Sequence, residues 1–151
     1  MSELRELYQE VILDHNKNPR NFKRLEPHSH HANGHNPLCG DKLELFMNVV
    51  DGRIDDITFV GSGCAISTSS ASLMTQFLKG KSVEQATRVF QHFHSLVTGK
   101  ELGDSELGEL GKLALFAGVK EFPSRVKCAS LSWHTLMNAL EDTQQVAQTE
   151  P

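Results

Sequence analysis

The run DKLELFMNVV, followed by Asp51-Gly52 and then RIDDITFVG, constrains the fold more than any other part of the chain. Leu43, Leu45, Met47 and Val49 fall at alternate positions, so they share one face of a strand. Asp-Gly is a two-residue connection suited to antiparallel strands, because both positions accept positive φ. The returning run puts Ile57 and Phe59 inward. A hairpin with one apolar face must be covered by another layer. The pairing has a geometric consequence: Asp41 and Gly61 lie at the open end, so Cys39 and Cys64, just beyond, are brought together across the sheet.

The rest of the chain supplies helices. Leu4, Leu7, Tyr8, Val11 and Ile12 have helical spacing, and Asn18-Pro19 ends that segment. Residues 16–38 read as a long loop rich in turn formers and basic side chains. From Ser67, a core face of Leu73, Phe77 and Leu78 leads to a stop at Gly80. Ser82–Gln85 forms a capping box ahead of Ala86, Val89, Phe90, Phe93 and Val97. GKELGDSELGELG predicts a polar surface insertion leading into a helix near Leu110–Ala117. Pro123 opens a last helix with Ala129, Trp133, Leu136, Met137 and Leu140 on its apolar face, and Cys128 in its first turn or just before. The expected fold is α+β, a small antiparallel sheet of about three strands against a helical layer. One domain spans 1–142, with 143–151 as a disordered tail.

At 151 residues the chain suffices for one core. A net charge of -4 argues against nucleic acid as the main partner. No apolar run approaches the roughly 18 residues of a membrane span, and the polar, acidic start is unlike a secretory leader. The reading is a cytoplasmic protein without membrane contact.

Three cysteines cannot all close into disulfides within one chain. Their spacing, C-x24-C-x63-C, contains no local pair and is weak evidence for a metal by itself. Their neighbours say more. Cys39 precedes Gly40-Asp41, and Cys64 follows Gly61-Ser62-Gly63. Glycine lets the backbone bend a sulfur toward a shared point. A free cysteine is ordinarily a small core residue, but none of these sits at an apolar periodic position. Asp41 alone would read as a turn cap. Beside Cys39, Cys64 and Cys128 it can complete a set of three sulfurs and one oxygen, suited to zinc or to iron held with sulfide. A structural zinc site without chemistry, or a cysteine hydrolase using His134 or His35 as base, are weaker alternatives. The histidine run at 28–31, with His35 nearby, reads as solvated side chains rather than a second metal site.

Four separated stretches, DHNKNPRNF, NPLCGD, GSGCAISTSSASLM and RVKCASLSW, resemble in order the IscU-like iron–sulfur assembly proteins, and within them the SufU type. Lys127 stands where the IscU subgroup has a histidine, EFPSRVK replaces its chaperone-recognition segment, and extra residues lie around Thr98–Lys112. All three features resemble SufU. The resemblance implies a SufE/IscU-like fold and zinc on Cys39, Asp41, Cys64 and Cys128. It implies Cys39 as persulfide carrier and Arg125 as a partner contact. The implied partners are a cysteine desulfurase of the SufS type and the Suf cluster-assembly scaffold complex. The implied function is zinc-dependent sulfur transfer, with assembly of a [2Fe-2S] cluster on the same thiols as the alternative. The second reading would make the chain a scaffold rather than an enzyme.

Overall fold

The computed structural model describes residues 2–141 and 147–148, with side chains described for 6–141. Strands β1 (His30–Asn36), β2 (Asp41–Val50) and β3 (Arg53–Ser62) form an antiparallel sheet. A two-residue β4 (Ala147–Gln148) runs parallel to β1, giving the order β3-β2-β1-β4. The rest of the stretch read as a tail lies outside the described residues. The helices are α1 (Ser2–Lys17), α2 (Ala65–Leu78), α3 (Val83–Val97), α4 (Asp104–Leu110) and α5 (Pro123–Glu141), with a 3₁₀ segment over Gly111–Glu121.

The β2–β3 turn has φ 50° at Asp51 and 75° at Gly52, as a primed hairpin turn requires. Val50 pairs with Arg53 and Lys42 with Ser62, so the open end falls where the alternation puts it. A bulge at Asn48/Val49 changes the parity of β3, which lets Ile54 and Ile57 both reach the core. Leu43, Leu45, Met47 and Phe59 join them there.

Two regions differ from expectation. The 16–38 stretch contains β1, whose inward positions are Ala32, Gly34 and Asn36. These small or polar residues give no apolar alternation to read. Small size is required because α5 lies close: a Cβ on Gly34 would collide with Thr135 Oγ1. The 98–112 stretch is more than a surface insertion. It folds as α4 and packs fully buried Leu110 into the core, with Leu102 and Leu107 partly buried against it.

The helix α2 lies between the sheet, α1 and α5, and buries Ser67, Ser69, Ser70, Ser72 and Thr75. The hydroxyls of Ser69, Ser70, Ser72 and Thr75 are satisfied locally or across elements, which is the condition for burying them. Ser70 donates to Ala129 O and accepts from Trp133 Nε1 at 3.2 Å. Ser72 Oγ accepts from Arg20 N at 2.8 Å and lies 2.7 Å from His15 Nδ1. These bonds fix α2, and therefore its first residue, relative to α1 and α5. The indole of Trp133 stacks on Phe93 at 4.6 Å and ties α5 to α3.

The histidine run is partly buried structure. His28 and His31 lie 5.2 and 5.0 Å from the ring of Phe46 on the outer sheet face, and His31 Nε2 is 3.0 Å from Glu44. Among the described residues these histidines form no metal-capable cluster. No helix among them is long and apolar enough to cross a membrane.

Candidate metal centre

The open end of the hairpin carries the site. Asn36, last in β1, pairs with Asp41, first in β2, and the Pro37–Gly40 loop between them carries Cys39. Gly40 adopts φ +72°, a conformation that other residues reach at a cost, and it turns the loop directly after Cys39. Cys39 is exposed, as is Leu38 beside it.

Asp41 is fully buried and held on both oxygens. Oδ1 accepts from Cys64 N at 2.8 Å, and Oδ2 accepts from Asn36 Nδ2 at 3.3 Å. Gly63 makes the first bond possible: a Cβ there would sit 2.5 Å from Asp41 Oδ1. Cys64 is the N-cap of α2, and its sulfur accepts from Ser67 N at 3.4 Å. A cap thiol faces the positive end of the helix, where a thiolate is favoured.

Cys128 is the sixth residue of α5, in the second turn rather than at the helix start, and is 3% exposed. The helix begins at Pro123, which turns Cys128 inward with Ala129 and Leu131. It therefore occupies a buried helix position, contrary to expectation. Its sulfur, that of Cys39 and a carboxylate oxygen of Asp41 lie within 4.8 Å of one another.

Cys64 is not part of that set of three. The neighbouring Cys128 thiol and the Ser67 amide lower its pKa to about 7 against the opposition of burial. Cys128 is pushed up by Cys64, by burial, and by Cys39 and Asp41.

Two sulfurs and a carboxylate within 4.8 Å, with a third thiol neighbouring one of them, fit a zinc or iron ion and suit calcium or magnesium poorly. Lys127 is half-buried. Arg125 is exposed, with its guanidinium 4.5 Å from the Phe122 ring. It borders a groove of about 920 Å³ between α1, the 3₁₀ segment and α5, lined by Tyr8, Ile12, Leu13, Ile66 and Phe122 among others. His134 packs against Phe90 and His94 on the α3 side. Among the described residues no bond to a cysteine is found for His134 or His35, and the hydrolase alternative finds no support.

Sequence reasoning assigned no role to Asn36, although it begins the NPLCGD motif. An asparagine before proline reads as a turn former, and its full burial on β1 is visible only in the fold.

Residues 7–129 match the NifU-like N-terminal domain family. The chain is 45% identical over 130 residues to the zinc-dependent sulfurtransferase SufU of Bacillus subtilis, covering 86% of each chain. It is 39% identical to the iron–sulfur cluster assembly scaffold protein IscU of Streptococcus pyogenes, covering 93% of this chain and 87% of the relative. Its fold superposes on the crystal structure of FiSufU from Fervidobacterium islandicum AW-1 with a TM-score of 0.82 at 34% identity, covering 87% of this chain and 94% of that one. By sequence across most of its length and by fold, the chain belongs to the NifU-like N-terminal domain family, among the SufU and IscU proteins.

Proposed function

We propose that this protein serves iron–sulfur cluster assembly as a zinc-bound sulfur acceptor, with Cys39, Asp41, Cys64 and Cys128 holding the ion and Cys39 carrying the sulfur. The observation that carries the reading is the unequal exposure of the donors: Asp41 and Cys128 are buried and Cys39 is exposed. When bound, zinc keeps its thiol ligands deprotonated and contributes no redox chemistry.

The sulfur donor is a cysteine desulfurase of the SufS type bearing a persulfide. The Cys39 thiolate attacks the outer sulfur of that persulfide. The sulfur–sulfur bond of the donor breaks, the desulfurase cysteine leaves as a thiolate, and Cys39 becomes the persulfide. No net oxidation occurs, because one sulfur–sulfur bond replaces another. The loop position of Cys39 lets it approach a partner, whereas Cys128 is enclosed by α5 and the sheet. Arg125, on the groove rim three residues before Cys128, supplies a cationic contact for that partner. The sulfur then passes to the Suf cluster-assembly scaffold complex, and the work takes place in the cytoplasm.

A scaffold reading, in which a [2Fe-2S] cluster is built on the same donors, draws support from the 39% identical relative named as a scaffold. Metal and acid-labile sulfide content of protein purified without oxygen, paired with a desulfurase assay, separates the two. Zinc without sulfide, with faster desulfurase turnover, supports the acceptor. Stoichiometric iron and sulfide that transfer intact to an apo-ferredoxin would overturn it in favour of the scaffold.

A further inference from the structure

Asn36 is wholly buried, and its position needs explaining because asparagine is rarely enclosed without a purpose. It continues the inward face of β1 after Ala32 and Gly34, where an apolar side chain would satisfy packing. Instead its amide donates to Asp41 Oδ2 at 3.3 Å and to Cys128 Sγ at 3.7 Å. A carboxylate and a metal-bound sulfur only accept, so the NH₂ group must face them. A local role as turn cap would use Oδ1 to accept from the loop backbone. That oxygen has no hydrogen-bond partner among the described residues. The side chain is therefore committed to the two buried donors of the site.

We infer that Asn36 is a positioning residue that clamps Asp41 and Cys128 as the permanent ligands, so that Cys39 is the ligand that exchanges. The inference rests on the metal set proposed above. An N–H donor on a ligating sulfur withdraws charge from it and lowers its nucleophilicity toward electrophiles. The same amide fixes the carboxylate's orientation, as outer partners of metal ligands do. Asn36 also pairs with Asp41 at the foot of the Cys39 loop, so a single side chain closes the base of the loop while its tip stays free.

The test uses zinc-loaded protein and two variants, Asn36→Leu, which keeps the volume without a donor, and Asn36→Ala. Iodoacetamide labelling mapped by mass spectrometry gives the order in which the three cysteines react. In the wild type Cys39 reacts first and Cys128 last. In the variants Cys128 becomes reactive with zinc still bound, and zinc affinity falls about 10–100-fold. A merely structural role would lower stability without changing the order. An independent reading on the wild type guards against variants that fail to fold. In ¹⁵N-labelled protein the Asn36 side-chain amide should shift downfield and resist exchange when zinc is added. Unchanged labelling order and affinity in folded variants, or an Asn36 amide indifferent to zinc, would overturn the inference and leave the acceptor reading standing. A wild-type protein that holds no ion at these residues would overturn both.

Discussion

The base and the rim of the site are built on opposite principles. At the base, Asn36, Asp41 and Cys128 come from two strands and a helix, are almost fully enclosed, and are bonded to one another. At the rim, Cys39 stands exposed in the Pro37–Gly40 loop. Cys64 lies between, half-buried, held by the α2 cap beside Cys128. The difference teaches that retention and transfer can be divided among ligands of a single ion. On the proposed reading, rigid, desolvated donors would keep the metal and an accessible one would exchange.

Substitutions at the two ends should separate these roles, and the largest effects are expected there. Cys39→Ser should abolish sulfur acceptance while leaving zinc largely bound, measured by persulfide labelling and metal analysis on one sample. Cys128→Ser should do the reverse first, with zinc affinity falling by more than the about 10–100-fold that outer partners cost. Equal zinc loss in the two variants would erase the distinction between base and rim.

A smaller change attacks the link between them. Gly63→Ala places a methyl 2.5 Å from Asp41 Oδ1, so the Cys64 amide and the carboxylate must separate. Destabilisation of about 1–3 kcal/mol is expected, the usual range for overpacking. Denaturant unfolding of metal-free protein measures it, and zinc retention should fall in parallel. Outside the ligand set, Arg125→Ala should weaken desulfurase binding about tenfold, a loss of about 1.4 kcal/mol, with zinc content unchanged. Titration calorimetry with the partner checks this.

The smallest effect is a control remote from both ends. His15 is buried against Ser72, and burial lowers its pKa below the ordinary 6.5, with Arg20 adding to the shift. The unfolded chain therefore takes up this proton more readily than the folded one. The associated stability is fully present above pH 6.5 and is lost as pH falls through the lower folded value. His134, also lowered by burial and by His94, acts in the same direction. Thermal unfolding of metal-free protein between pH 7 and 5 should show this decline, and His15→Gln should flatten it without altering the labelling order of the cysteines.

What could be read from the sequence follows from where its signals are local. The β2–β3 hairpin is legible because alternation and Asp-Gly agree, and that pairing brings Asp41 to Cys64 across the open end. The strand β1 is not, because contact with α5 demands Ala32 and Gly34, residues that leave no apolar period. The burial of α2 is hidden for a similar reason: its serines look exposed until their partners on α1 and α5 are known. Cysteine, aspartate and glycine near one another announce a metal set by residue type. Asn36 carries no such signal, since its meaning depends on Asp41 five residues on and on Cys128 across the fold.

The division of labour is tested most directly by locating the transferred sulfur. Zinc-loaded protein is given one turnover of a cysteine desulfurase with its substrate, and the persulfide is mapped by mass spectrometry alongside a zinc count. The extra sulfur should sit on Cys39 with the zinc retained. Sulfur on Cys128 or Cys64, with Cys39 unmodified, would contradict the account.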